Sequence, residues 1–473
     1  MKDPEGLITG NINGIEWHLE DGGLTEVLKP FAHEGNERRF YGVYPFGEGR
    51  VFVKSFLEKG LIGTVRNKVN PRGRIEYLLS RRLASLNIST PRSYGYGSGP
   101  GTSCVVHEYI AGESFIDAFQ GSPQRGHLVI ALAELLKALE KERVLHNDLH
   151  LNNVLVADKS LYLIDLHKMR IKRSFTPQDE ISNLSHALAM AYWIMTPDEK
   201  ETFFRHYGKE GIRPAVERTL KAMHMRWILR KQQRAFENTS KTRWQDGHLY
   251  IIGNEERCRG VFVETIKKDT KVIVERFTDH VTKTYGGRGR LKRAWKAHVA
   301  LAYLDLPIIP ETFCLKMPAL FRHGHISMED LGGRGEELDR YVDRIYDTAS
   351  ARERGLLADV FAGFLRNALK IGIVHRDLKA CNVFRLDDGT FRFLDVEDIT
   401  FREADGDVLE RMLLQLNTTL PKRITARDRL RFFIRLTASS GLDRKLMLGN
   451  VTRKSSGREI VYQGTGGLKI ESW

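Results

Sequence analysis

Residues 144–165, VLHNDLHLNNVLVADKSLYLID, and residues 374–395, VHRDLKACNVFRLDDGTFRFLD, are two versions of one pattern. Each passes from an apolar residue through His, a variable residue, Asp and Leu to an Asn, then through a short turn into an apolar strand ending in Asp. Asp148 and Asp377 are 229 residues apart, Asn153 and Asn382 also 229, and Asp165 and Asp395 230. Three polar positions holding one offset to within a residue mark a duplication of domain size, well beyond the roughly 20–50 residues of solenoid repeats.

The flanks repeat as well. Leu356, Leu357, Val360, Phe361, Phe364, Leu365, Ala368 and Leu369 recur at helical spacing before the second motif, and residues 128–139 form a similar apolar run before the first. Each motif is therefore expected on a loop just after a buried helix. Further upstream, RVFVKSF (50–56) and KVIVERF (271–277) read as strands. Each precedes a basic glycine-containing loop, a helix (75–86 and 291–304) and a proline, Pro91 or Pro310, near a new strand. Downstream, TPDEKETFFRHY (196–207) is echoed by TARDRLRFFIRL (425–436). A chain of 473 residues exceeds one core, since single cores stop growing at about 250–300 residues. We place the boundary in the polar stretch 236–248, giving domains 1–240 and 241–473.

With 41% hydrophobic and 28% charged residues and a mean hydropathy of −0.35, the composition is that of a globular protein and excludes disordered and fibrous classes. The longest strongly apolar run, residues 187–195, falls well short of the roughly 20 residues that span a bilayer, and the start MKDPEGLITGNING lacks an apolar core, so neither a signal peptide nor a membrane span is expected. Cys104, Cys258, Cys314 and Cys381 have no CxxC spacing, which argues against a zinc site or disulfide framework and for a reducing cytoplasm. The formal charge of +14 points to an anionic partner.

An Asp on a loop, an Asn five residues later and an Asp at the end of the next hairpin set three oxygen-bearing side chains around one cleft. This is the kinase catalytic-loop pattern, in which the first Asp accepts a hydroxyl proton while the Asn and the second Asp hold magnesium on the phosphates. The candidates are Asp148, Asn153 and Asp165 in the first copy, and Asp377, Asn382 and Asp395 in the second. A single match of this kind can be a capped turn without chemistry; duplication in matching context favours the functional reading. Such a site also needs a strand lysine and a helix acid to position phosphates, and Lys54 at the end of VFV with Glu76 in the next helix supplies both. In the second copy, aligning VFVKSF with VIVERF puts Glu275 opposite Lys54, and aligning LASLNISTP with LAYLDLPIIP puts Ala294 opposite Glu76. Both halves of that pair are thus expected to be missing there, with Lys271 as a possible substitute. His146 and His375 are read as core histidines. Glu108 to Ile110, in CVVHEYIAGES (104–114), is the expected hinge whose backbone pairs with adenine.

The chain resembles the lipopolysaccharide core kinases of the Kdo/WaaP type. The resemblance is carried by RVFVKSF, RNKVNPRGRIEYLLSRRLASLNISTPRSYGYG (66–97), HNDLHLNNVLV, LYLIDLHKMR (161–170), IGIVHRDLKACNVF (371–384) and FRFLDVED (391–398). It implies an α+β fold of two tandem protein-kinase-like bilobal domains, each with a β-rich N-lobe and a helical C-lobe, the second degenerate. It also implies ATP and magnesium as cofactors and phosphorylation of a sugar hydroxyl of the inner core, with Asp148 as base. Lys54, Glu76, Glu108 and Ile110 would bind nucleotide, and Asn153 and Asp165 the metal. Asn147 and His150 depart from the Arg and Lys of protein kinases, whereas the second copy keeps Arg376 and Lys379; neither copy has Phe-Gly after its metal Asp. A Ser/Thr protein kinase and a non-catalytic double pseudokinase scaffold are the competing readings.

The expected partners are a lipopolysaccharide core or other anionic glycolipid and an anionic membrane surface, with no nucleic acid. The expected location is cytoplasmic, peripheral to the inner membrane. Lys59, Arg66, Lys68, Arg72, Arg74, Arg81 and Arg82 form a basic run beside the first site, and Lys283, Arg288, Arg290, Lys292 and Arg293 form its counterpart. Each exposed cation near an anionic membrane contributes about 1 kcal/mol, so several hold a protein there reversibly. Sedimentation with anionic liposomes is expected at low salt, with release at high salt; binding that survives high salt would contradict this electrostatic account.

Overall fold

The computed structural model describes residues 4–31, 39–58, 60–158, 160–317, 323–438 and 441–473. The chain is a mixed α+β protein with seven sheets and fourteen α-helices among the described residues. It divides into two compact units, Met1–Met223 and His224–Trp473. The division falls inside the helix Arg213–Gln233. Residues past it belong to the second unit for a packing reason: buried Ala235 joins the core of Leu249, Leu291 and Trp295, and the Trp295 indole donates to the Ala235 carbonyl at 2.7 Å.

In the first unit, β1 (Ile8–Ile12), β2 (Ile15–Leu19), β3 (Arg39–Phe46), β4 (Gly49–Leu57), β5 (Ser93–Gly99) and β6 (Thr102–Glu108) form an antiparallel sheet in the order β1-β2-β5-β6-β4-β3. Period-2 alternation decides which side chains share a face. Val51 and Val53 of β4 enter a core with Trp17, Cys104 and Val106, while Phe56 packs on the opposite face with Tyr77 and Val105. Lys54 shares the face of Phe56, with its ammonium 4.7 Å from that ring.

Helix α1 (Arg72–Ala84) buries Gly73, the run Glu76, Tyr77, Leu78, Leu79 and Ser80, and Leu83, so its middle is covered on more than one side. Its first turn presses on β6 so closely that a Cβ on Gly73 would lie 1.9 Å from the Cys104 carbonyl oxygen. That approach brings Glu76 to the sheet. The motif loop rests on α2 (Gly126–Lys141), whose Leu128, Leu132, Leu136 and Leu139 pack with Leu149, Leu151, Val154, Leu163 and Leu166. Helix Pro197–Tyr207, expected from its sequence echo, starts at a Thr196–Glu199 capping box.

The second unit has β7 (Thr242–Gln245), β8 (His248–Ile251), β9 (Phe262–Lys268), β10 (Val272–Phe277), β11 (Val281–Tyr285), β12 (Thr312–Lys316) and β13 (Gly324–Met328), in the order β7-β8-β12-β13-β11-β10-β9. With edge strand β9 removed, this is the order of the first sheet. Helix α3 (Arg288–Leu304) follows β11 as α1 follows β4, and α4 (Ala351–Lys370) precedes the second motif. Cys258 and Cys314, far apart in sequence, are free thiols with sulfurs 3.6 Å apart.

Because Gly73 sets the distance between α1 and β6, Gly73→Ala should destabilise the first unit by about 1–3 kcal/mol, an overpacking cost without any change of charge. Urea unfolding of the full chain measures this, and an unchanged midpoint would contradict the close approach.

Candidate active site

Lys54 is 5% exposed, and its ammonium donates to both oxygens of Glu76 at 3.0 Å and to Asp165 Oδ1 at 2.7 Å. β4 supplies the lysine, α1 the glutamate, and the turn after the motif hairpin the aspartate. Asp165 adopts left-handed backbone with φ 61° as the chain leaves the strand Ser160–Leu163, which turns its carboxylate toward the lysine. Two further groups close the cluster. His107 Nε2 lies 3.2 Å from Glu76 and its Nδ1 2.8 Å from Ser93 Oγ, while His167 Nδ1 lies 2.8 Å from Asp165 and 3.6 Å from Glu76.

Charge compensation sets the protonation states. Burial works against both carboxylates, yet Lys54, His107 and His167 hold Glu76 well below its ordinary pKa, and His167 and Lys54 do the same for Asp165. Burial lowers Lys54, but Glu76 and Asp165 outweigh it and leave it raised. His167 is likewise raised by its two carboxylates against burial. Glu76, Asp165 and His167 have ligand atoms within 4.8 Å of one another, a spacing that could hold a metal ion. The Lys54 ammonium already serves the two carboxylates, so a cation between them would meet like charge.

Asn153 joins the two aspartates. Its side-chain amide donates to the Asp148 carbonyl at 3.0 Å, and its own carbonyl accepts from Ile164 N–H at 3.0 Å. Asp148 is partly exposed and its carboxylate pairs with Lys168. Burial raises that carboxyl, but the lysine brings it below its usual range. His146 is fully buried, accepts from the Asp148 N–H at 3.2 Å and is pushed down to about 4 by burial, as suits a core histidine. The candidate metal ligands Asp165 and Asn153 offer hard oxygens, the donor type magnesium takes. At the expected hinge, Glu108 N–H donates to Arg92 O at 2.7 Å and Tyr109 N–H to Arg50 O at 3.0 Å. Ile110 lies just beyond the end of β6.

The second unit corrects the sequence reading. Glu275 is on β10, the neighbour of the strand that corresponds to β4, and Lys271 lies in the exposed turn before β10. The position of Lys54 is taken by Lys283 on β11, whose ammonium donates to Asp395 at 2.7 Å and to Glu397 at 3.0 Å. VIVERF and VFVKSF share an apolar period, and adjacent strands of one sheet share it too, so pattern alone selected the wrong strand. Ala294 does face the site's helix position without a carboxylate. Leu83 and Leu301, and the left-handed Asn87 and Asp305, keep the same 218-residue offset as Glu76 and Ala294. Asn382 donates to the Asp377 carbonyl at 2.8 Å and accepts from Leu394 N–H at 2.9 Å, the same tie that Asn153 makes. Asp377 pairs with Lys379 at 3.0 Å. His375 is fully buried.

The basic runs also differ from expectation. Lys283 is buried in ion pairs, Arg81 is paired with Glu20, and Arg72 lies 3.7 Å from Glu58. Lys59 and the Arg66 side chain lie outside the described residues. Among the described residues, no helix is long and apolar enough to cross a membrane.

No family model and no curated protein matches the chain. A solved structure described as "WaaP in complex with acyl carrier protein" is 22% identical over 43% of this chain and 88% of that chain, with a TM-score of 0.32.

Lys54→Met takes the ammonium away from two buried carboxylates that keep their histidine contacts, a loss of about 3–5 kcal/mol. Both carboxyls have lowered folded pKa values. Their stabilisation is therefore complete above the unfolded values of about 4 and is lost as pH falls through that range toward the folded values. Hydrogen exchange in residues 51–57 should show the wild type more protected than Lys54→Met at neutral pH, with the difference shrinking below about pH 4.

Proposed function

We propose that the chain is a tandem pair of protein-kinase-like domains. The first is an ATP- and magnesium-dependent phosphotransferase acting on a sugar hydroxyl of the lipopolysaccharide inner core. One observation carries the phosphotransferase reading: a strand lysine shared by a helix glutamate and Asp165, with Asn153 tying Asp165's turn to Asp148. The acceptor class rests on the sequence resemblance of residues 50–97, 146–170 and 371–398.

In this reading Glu76 holds the Lys54 ammonium where nucleotide phosphates would be neutralised. Asp165 and Asn153 would hold magnesium, which when bound neutralises charge on the phosphates. Asp148, kept ionised by Lys168, accepts a hydrogen bond from the acceptor hydroxyl and takes its proton late in transfer. A carboxylate of lowered pKa is a weak base, which suits a loose transition state in which positioning outweighs deprotonation. Lys168 stands beside Asp148, where the transferred phosphoryl group would need a cation.

A second reading, a Ser/Thr protein kinase, is favoured by one feature, Arg376-Asp377-Leu378-Lys379 with the Lys379–Asp377 pair. Labelled ATP with magnesium, offered to dephosphorylated core oligosaccharide and to a protein acceptor, separates the two. We expect label on the sugar; label on protein alone would overturn the acceptor assignment, and none on either would favour a scaffold. Asp148→Asn should lower turnover about 10²–10⁴-fold with nucleotide binding retained. Full activity in that variant, with loss in Asp377→Asn, would move the chemistry to the second unit.

A further inference from the structure

We infer that the second unit holds its own site for a nucleoside triphosphate with a divalent cation, in which Glu397 replaces the missing helix glutamate. The inference rests on the proposed reading of the first unit as a nucleotide site. In that unit the helix gives Glu76 and the residue two beyond the metal aspartate is His167. In the second the helix gives Ala294 and the residue two beyond is Glu397. The carboxylate has moved from helix to loop while still meeting the strand lysine: Glu397 Oε2 lies 3.0 Å from Lys283 Nζ and accepts from the Tyr285 hydroxyl at 3.3 Å. Packing of α3 against the turn Val396–Asp398 brings that loop to the place where α1 delivers Glu76.

The other parts are present. Lys283 bridges to Asp395 as Lys54 does to Asp165, and Asn382 makes both ties that Asn153 makes. An ammonium stands beside the loop aspartate in each unit, reaching it from different chain positions: Lys168 after the hairpin in the first, Lys379 two residues beyond Asp377 in the second. A purely structural ion pair accounts for this poorly. Buried pairs add little net stability over apolar packing, and here the Asp395 side chain is 36% exposed, four times as open as Asp165 at 9%. Lys283 therefore holds an aspartate that solvent, and hence a solvated anion with its metal, can reach. Lys267 on the edge strand β9 adds positive potential at Asp395.

Equilibrium dialysis of the full chain with labelled ATP and magnesium counts the sites. Two per chain are expected in the wild type, one in Lys54→Met, one in Lys283→Met and none in the double variant. A single wild-type site that is lost in Lys54→Met and untouched by Lys283→Met overturns this inference and leaves the first unit's reading intact. No site in the wild type overturns both. Where Lys283→Met fails to fold, the milder Glu397→Gln in the Lys54→Met background reports instead, with affinity expected to fall about tenfold or more. Ala294→Glu with Glu397→His, which installs the first unit's arrangement, should restore it. Unchanged affinity in Glu397→Gln overturns the role given to that residue.

Discussion

A lysine ammonium buried at the junction of a sheet, a helix and a hairpin turn is the constraint around which each unit is organised. An unpaired buried ammonium would cost several kcal/mol, so β4 can carry Lys54 inward only where carboxylates converge on it. That convergence fixes other features. α1 must approach β6 closely, which Gly73 permits, and Asp165 must take left-handed backbone to aim its side chain back at the sheet. Asn153 then transmits the position of that turn to Asp148 through one backbone hydrogen bond, from Ile164 N–H, and one from its side-chain amide to the Asp148 carbonyl.

The second unit meets the same constraint with different residues. Lys283 is held by Asp395 from the equivalent turn, and its second carboxylate comes from Glu397 rather than from the helix. The exchange works because both positions border one small volume. α1 packs against the turn Leu166–Lys168 and α3 against Val396–Asp398, so a carboxylate from either side reaches the ammonium. The partner of the loop aspartate is exchanged in the same way between Lys168 and Lys379. What persists between the units is a set of charges at defined points, while the chain positions that deliver them vary.

This explains which parts were legible in the sequence. The motif hairpins, the buried helices before them and the helices at Pro197–Tyr207 and Ala426–Leu436 follow from short-range spacing and capping, which a single chain displays directly. Lys54 and Glu76 were legible because a lysine directly follows a clean Val-Phe-Val run and the acid lies in the next apolar-rich helix. Lys283 was not, since VTKTY is short, carries two threonines and follows a more apolar strand that matches the template better. Glu397 had no periodicity to mark it, because it lies in the short turn Val396–Asp398.

A familiar residue can be lost without the loss of the contact it made. Ala294 in the place of Glu76 reads as decay when positions are compared one by one, yet the ammonium it would have served is fully paired. A charge buried in a protein interior must be paired locally; Asp395 alone balances the Lys283 ammonium, and Glu397 restores the second carboxylate contact that the helix no longer gives. Electrostatic balance is therefore a stronger guide to the state of such a site than residue identity at any one position. It directs attention to the volume around Lys283 and not to the helix that lost its acid.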